Sequence, residues 1–196
     1  VEQSELKSTA GNVDFKLGSF LQGTAVLEEG TTANNINATA TAELVSEQSF
    51  DGVTLSKGAI TVKVAGTQVE VVSGSVDLDY KQVAKGTLQL SKSSDIRRFT
   101  GSGKANLQPP LQWGDIAVTK GAIDLSLKDN VVDEAQGQME MAYLDFVKGQ
   151  MSFDAKEDFT AITGSATATV TAPHDLVAPL HLVPDPSKQF DLAFVN

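Results

Sequence analysis

The feature that most constrains the fold is a self-similarity with a period of 63 residues. The run Gly74-Ser-Val-Asp-Leu-Asp-Tyr80 has one counterpart earlier in the chain, Gly11-Asn-Val-Asp-Phe-Lys-Leu17, and one later, Gly137-Gln-Met-Glu-Met-Ala-Tyr143. In each run apolar and polar residues alternate, which is the pattern of a strand with one buried and one solvated face. The chain is therefore predicted to repeat one β building block.

An ungapped alignment of two neighbouring segments supports this repeat. Residues 51–113 align with residues 114–176 without a gap, and 15 of the 63 positions are identical. About four identities would be expected by chance, so this match at a fixed period indicates a repeat architecture. Residues 1–50 fit the same frame as a partial copy, and residues 177–196 form a C-terminal strand or cap. The whole chain, 1–196, is expected to be a single all-β domain. The identical positions, numbered in the first segment, are Lys57, Gly58, Ala59, Ile60, Val69, Gly74, Tyr80, Lys85, Gly86, Asp95, Thr100, Gly101, Ser102, Ala105 and Pro110.

Each full copy is predicted to hold about four antiparallel strands. Glycines such as Gly58, Gly74 and Gly86 come before alternating runs, so we expect them to open strands from turns that use their tolerance of positive φ. Residues 133–143 resemble a short helix when taken alone. Their in-frame partner, residues 70–80, is rich in β-branched residues, so both are predicted to be strands, and no helix is expected.

The two ends of the chain leave two architectures open. Residues 188–194 resemble residues 120–127 with one residue deleted, so the strand missing from the first copy has a counterpart at the end of the chain. In one architecture the three units close into a pseudo-threefold prism or barrel, with no open edges. In the other the units form an open array with a terminal cap. Closure is favoured because it explains the displaced strand with less coincidence.

Composition limits the classes of partner. The net charge is −10 over 196 residues, and the two arginines are adjacent, Arg97 and Arg98. Without a basic patch, neither nucleic acid nor an anionic membrane surface is an expected partner. The absence of cysteine excludes thiol chemistry and disulfides. Neither a signal peptide nor a membrane-spanning apolar run is recognised in the sequence.

Catalytic and metal-binding patterns are weak. The two histidines, His174 and His181, are expected in a surface connection, and no Gly-x-Ser-x-Gly motif accompanies them. A set made of these histidines with Asp175 and Asp185 has no recognised ligand spacing. Outward carboxylates such as Asp77 are typical of a solvated strand face. We therefore predict no enzyme activity, no metal and no cofactor.

Two positions are candidates for binding. Trp113 lies between the second and third copies, and it is either an exposed platform for a sugar or, as its apolar counterparts Phe50 and Leu176 favour, a core residue beneath a turn. Arg97 and Arg98 replace uncharged residues of the other copies. On an acidic protein they are candidates for contact with a carboxylate of a partner or a neighbouring unit.

The glycine-led alternating runs, for example residues 13–24, resemble repetitive β segments of very large bacterial secreted proteins, including polymorphic toxins, proteins associated with contractile injection systems and giant adhesins. The resemblance implies a structural or delivery role. The leading hypothesis is a non-enzymatic scaffold module of a bacterial protein, extracellular or at the cell surface, whose partner is a protein or a neighbouring repeat module. The alternative is a lectin-like β-prism that binds a glycan near Trp113.

Overall fold

The architecture is all-β, as the alternating runs predict. The computed structural model describes residues 11–32, 35–113, 115–156, 161–177 and 180–195. Within these ranges no helix occurs, and consequently none that could cross a bilayer. The ambiguous residues 133–143 belong to a strand, which confirms the assignment made from their in-frame partner. In that strand Ala135 and Met139 are buried, while the residues next to them are more exposed.

The described residues form sixteen strands. Their bounds are β1 (Gly11–Leu17), β2 (Leu21–Leu27), β3 (Asn37–Leu44), β4 (Gln48–Phe50), β5 (Val53–Ala65), β6 (Gln68–Tyr80), β7 (Ala84–Leu90), β8 (Gly101–Leu107), β9 (Leu111–Trp113), β10 (Ile116–Lys128), β11 (Val131–Tyr143), β12 (Val147–Lys156), β13 (Ala161–Val170), β14 (His174–Val177), β15 (Leu180–Leu182) and β16 (Phe190–Val195).

Most of these strands belong to one sheet in which neighbours in sequence are also neighbours in space. The order is β1-β2-β3-β5-β6-β7-β8-β10-β11-β12-β13-β16, with β4 beside β5 and β9 beside β10. Strands β14 and β15 form a separate antiparallel pair. Sequential antiparallel pairing requires only short turns, which is consistent with the close spacing of the alternating runs.

The predicted closure into a barrel is wrong, and the pseudo-threefold prism stays a prediction. Among the described residues β1 pairs with β2 alone and β16 pairs with β13 alone, so the sheet is not closed into a barrel. Strand β16 does have the position of a first strand: Phe190 lies opposite Ala168 of β13, as Ile60 lies opposite Ala42 of β3. The last strand therefore lies beside β13 of the third copy, and the open array also stays a prediction.

The chain forms two compact units, each with its own buried residues. Unit 1 comprises Val1–Asp79, Thr87–Gly103 and Leu127–Val131, and unit 2 comprises Tyr80–Gly86, Lys104–Ser126 and Val132–Asn196. Buried residues of unit 1 include Leu21, Val53, Leu55, Ile60 and Val76, and those of unit 2 include Ala105, Val118, Leu125, Val132 and Met139. In both units these side chains come from the inward-facing positions of alternating strands, as the binary pattern requires.

The strand boundaries repeat with the period of the sequence. Strands β4, β5 and β6 begin at residues 48, 53 and 68, and β9, β10 and β11 begin 63 residues later, at 111, 116 and 131. The paired elements also have equal lengths of 3, 13 and 13 residues. Strand β1 corresponds to the second half of β6. Equal spacing of bounds indicates that the duplicated sequence specifies the same local backbone in both places.

The turns that come after β1, β6 and β11 share one backbone conformation. Their first residues, Gly18, Lys81 and Leu144, have φ values of 59°, 49° and 49°. This left-handed conformation is easy for glycine and strained for a residue with a Cβ atom. The turn conformation is therefore the same in all three copies, although only the glycine of the first copy adopts it without strain.

The third residue of each of these turns makes the same hydrogen bond. Its backbone carbonyl accepts a hydrogen bond from the backbone N–H of the residue that directly follows the second strand after the turn. The bonds are Val45 N to Phe20 O at 2.8 Å, Gln108 N to Val83 O at 2.8 Å, and Thr171 N to Phe146 O at 2.7 Å. Donors and acceptors are each 63 residues apart, so backbone contacts as well as strand bounds recur.

The glycines predicted to open strands lie inside them instead: Gly58 is within β5, Gly74 within β6 and Gly86 within β7. The closest approach of a neighbouring strand is seen at Gly86 and its counterpart Gly23. Gly86 is the third residue of β7, and Gly23 and Gly149 have the same place in β2 and β12; none of the three has a positive φ. A Cβ added at Gly86 would lie 2.6 Å from Cα of Ala105, and one at Gly23 would lie 2.7 Å from Cα of Ala42. Glycine is required here by close approach of the neighbouring strand, not by turn geometry.

We predict that Gly86→Ala destabilises the protein by about 1–3 kcal/mol, the usual cost of overpacking. The atoms that the new methyl group would meet, the Lys104 carbonyl and Ala105 Cα, are backbone atoms that cannot withdraw without disturbing strand pairing. Urea unfolding followed by circular dichroism measures the change. The control is Gly11→Ala, since nothing lies within 4 Å of a Cβ at Gly11. Equal stabilities for the two variants would contradict the close-approach explanation.

We predict that Leu144→Gly stabilises the protein by up to about 1 kcal/mol, because glycine removes the strain of the left-handed conformation. Leu144 is 48% exposed, so little packing is lost. The control Leu144→Ala also shortens the side chain but retains a Cβ atom, and it should give no such gain. The midpoint of urea unfolding distinguishes the two variants. If Leu144→Gly is less stable than Leu144→Ala, the conformational explanation fails.

Candidate functional site

The structure describes the backbone of Trp113 but not its side chain. Trp113 ends β9 and pairs with Ile116 at the start of β10. Its counterpart Phe50 ends β4 and stacks on Phe99, with ring centroids 6.1 Å apart and an interplanar angle of 18°. Phe99 is buried at 2% exposure. The counterpart is therefore a packing residue, and a sugar platform at Trp113 stays a prediction.

Arg97 and Arg98 lie in the connection between β7 and β8, and both are exposed. Nε of Arg98 is 3.7 Å from Oδ2 of Asp95 within the same loop. An exposed pair of this kind contributes little to stability, since solvent screens it. The loop thus already provides one carboxylate neighbour for Arg98, and contact of either arginine with a partner stays a prediction.

The Arg97 loop is held in place by Asn130, a contact that was not predicted from the sequence. The Asn130 side chain donates from Nδ2 to the Arg97 carbonyl at 2.8 Å and accepts at Oδ1 from the Phe99 N–H at 2.7 Å. Asn130 is the second residue of the β10–β11 turn, where φ is 72°, and Asp129 before it has φ 53°. Asparagine and aspartate suit this left-handed hairpin turn, so an Asp-Asn pair between two alternating runs was the available signal.

We predict that Asn130→Ala costs about 1–3 kcal/mol, since two side-chain hydrogen bonds are lost and a left-handed alanine is created. Asp129→Ala is the matched control, because it creates the same conformational strain without removing a bond from the Arg97 loop. It should cost less. Arg97→Ala and Arg98→Ala should each lie within about 0.5 kcal/mol of the parent protein. An Asn130→Ala variant no less stable than Asp129→Ala would show that the loop is held otherwise.

The histidines lie on a short strand pair and not in an irregular loop. His174 in β14 stacks on Phe146, with centroids 3.8 Å apart. His181 in β15 contacts Oδ1 of Asp175 through Nδ1. Asp185, the fourth member of the set considered from sequence, instead accepts hydrogen bonds from Ser187. The described residues contain no group of three or more His, Cys, Asp or Glu side chains arranged to hold a metal ion.

The outward residues of unit 1 form a polar row across three strands. Asp14 of β1 lies opposite Thr24 of β2, which lies opposite Thr41 of β3. Thr24 Oγ1 donates to Asp14 Oδ1 at 3.1 Å. These residues line a groove of about 560 Å³. The Asp14 carboxylate is therefore hydrogen-bonded within the protein, as expected for a cross-strand pair on a polar sheet surface.

The corresponding row of unit 2 contains Glu140, Gln150 and Thr167, on β11, β12 and β13. It is continued by Asp191 of β16, which accepts a hydrogen bond from Thr167 Oγ1 at 3.3 Å. The positions are those of the unit 1 row shifted by 126 residues. The carboxylate recurs at the first position, while the second changes from threonine to glutamine.

A groove of about 740 Å³ lies along this row in unit 2. Leu107, Met139 and Met151 contribute apolar surface to it. The polar side chains that line it carry amide, hydroxyl, carboxylate and ammonium groups, and they are Asn106, Thr119, Lys120, Gln138, Glu140, Gln150, Ser152, Ser165 and Thr167. Such a surface donates and accepts hydrogen bonds, but its described lining contains no imidazole to act as a general base for a hydroxyl nucleophile.

This groove was not predicted from the sequence. Its polar lining residues occupy ordinary strand positions, whereas Leu107 and Met139 come from the buried side of their strands. The signal in the sequence is a carboxylate that recurs every 63 residues, at Asp14, Asp77 and Glu140. No family model, curated protein or solved structure matches the chain. No functional residue is therefore assigned from a relative.

Proposed function

We propose that this chain is a non-enzymatic structural module, a β-repeat scaffold or spacer of a bacterial secreted or surface protein. The observation that carries the proposal is the recurrence of backbone contacts at 63-residue intervals, shown by the carbonyl bonds of Phe20, Val83 and Phe146. A scaffold depends on its backbone geometry, which is the part of the repeat that recurs most closely. Backbone contacts that recur at a fixed sequence period are typical of repeat proteins.

The outward side chains support the same proposal, because they vary where the backbone does not. Thr24 of the first copy corresponds to Thr87 and Gln150, and Thr41 corresponds to Lys104 and Thr167. A ligand site repeated three times would require the same hydrogen-bonding groups at these positions. The polar rows instead provide an acidic surface, in keeping with the net charge of −10.

A glycan-binding protein is the second candidate, and the groove along Glu140 and Gln150 favours it. Amide and hydroxyl groups beside apolar surface suit a saccharide, which presents hydroxyl groups and an apolar ring face. This candidate no longer requires Trp113. It requires that the groove bind a saccharide strongly enough to stabilise the folded chain.

A ligand screen by thermal unfolding, together with a glycan array, separates the two functions. A ligand at 100 times its Kd stabilises the protein by about 2.7 kcal/mol, which raises Tm by several degrees. We expect no saccharide or divalent cation to raise Tm, and no glycan to retain the protein on the array. Retention on a glycan that is lost in Gln150→Ala, with unchanged Tm of the variant alone, would overturn the scaffold proposal.

A further inference from the structure

We propose that the outer edge of β1 binds the same edge of a second copy of this chain. In the resulting symmetric dimer, the two β1 strands pair antiparallel about Phe15. Each sheet is thereby extended by one strand from its partner. The proposal rests on an exposed apolar face, a sheet edge with one neighbour among the described residues, and a charge pattern that selects one register.

The inward face of β1 is uncovered where its repeat counterpart is buried. Val13 is 46% exposed, whereas the corresponding Val76 of β6 is 1% exposed. Phe15 is half-buried, whereas the corresponding Leu78 is 2% exposed. The equivalent strands of two copies thus differ, because the inward side chains of β6 are buried and those of β1 are partly exposed.

The difference has a structural cause. Strand β6 lies between β5 and β7, whereas β1 has β2 as its neighbour and nothing else among the described residues. Strand β5 contributes Val53 and Leu55, both at 0% exposure, to the core beside β6. An edge of this kind presents unpaired backbone groups as well as apolar surface, and both are satisfied by adding a strand.

A second copy of β1 fits this edge with matched charges. Pairing about Phe15 places Asp14 of each copy opposite Lys16 of the other, on the solvated face. Both side chains are exposed. A register shift of two residues keeps the faces aligned but places Asp14 opposite Asp14, or Lys16 opposite Lys16. Like charges directly opposite each other disfavour these registers.

The same register matches the apolar face. It places Phe15 opposite Phe15 and Val13 opposite Leu17, so each strand covers the inward residues of the other. Contacts of these kinds stabilise antiparallel pairs. The isologous arrangement closes on itself, because each edge is used once.

Self-association is separate from the scaffold function. A monomeric chain would overturn the dimer and leave the scaffold proposal standing. Binding of a glycan to the unit 2 groove would overturn the scaffold proposal without affecting the β1 edge.

Sedimentation equilibrium of the full chain tests the dimer between about 1 µM and 1 mM, the range of Kd expected for a modest interface. The parent protein should show a monomer–dimer equilibrium. Asp14→Lys and Lys16→Asp should each weaken self-association about tenfold or more, with Tm unchanged at protein concentrations well below the parent's Kd. An equimolar mixture of the two variants should dimerise again, because each Lys then faces an Asp of the other chain.

The register is tested through cysteine cross-linking, since the chain contains no cysteine of its own. Under mild oxidation Phe15→Cys should form a covalent dimer faster than Val13→Cys, because residue 15 faces itself across the two-fold axis and residue 13 faces residue 17. Three results would overturn the proposal: a parent protein that is monomeric throughout the concentration range, charge variants that dimerise like the parent, or faster cross-linking at residue 13.

Discussion

The close approach of neighbouring strand backbones at the strand glycines is the constraint on which the rest of the structure depends. Gly23, Gly86 and Gly149 occur at 63-residue intervals, and each faces an alanine on the next strand, Ala42 in the first case. With a Cβ atom on the glycine, the two strands could not lie as close as they do. The repeat therefore preserves small residues at this contact while the surrounding surface changes.

The turns beside this contact complete a backbone unit that does not depend on particular side chains. The left-handed turn residue is glycine at Gly18 but lysine and leucine at Lys81 and Leu144, and the geometry persists despite the strain. Strand pairing on both sides of the turn must offset that strain. Repetition of the backbone together with variation of the surface is what a structural module requires, and it is why the scaffold function is preferred to ligand binding.

The sequence predicted the strands well and the closure poorly. Period-2 alternation and the self-match identified the all-β class and corrected the helix-like residues 133–143, since one copy resolves what the other leaves ambiguous. Glycines such as Gly86 were misassigned to turns because a glycine needed for positive φ and one needed for close approach look alike in sequence. Closure could not be predicted from the sequence. The sequence of β16 shows that it is equivalent to the first strand of a copy, but it does not show which strand β16 pairs with.

The candidate site was harder to predict than the strands. The contacts of Asn130 with the Arg97 loop and the groove beside Gln150 depend on residues brought together from separate strands, which no local pattern reveals. The central claim, that each copy is the same backbone unit, is tested most directly by hydrogen exchange at the amides of Val45, Gln108 and Thr171. Each donates to the third residue of a turn, so all three are expected to exchange slowly and to similar extents. Rapid exchange at one of them, at the rate of an unbonded loop amide, would contradict it.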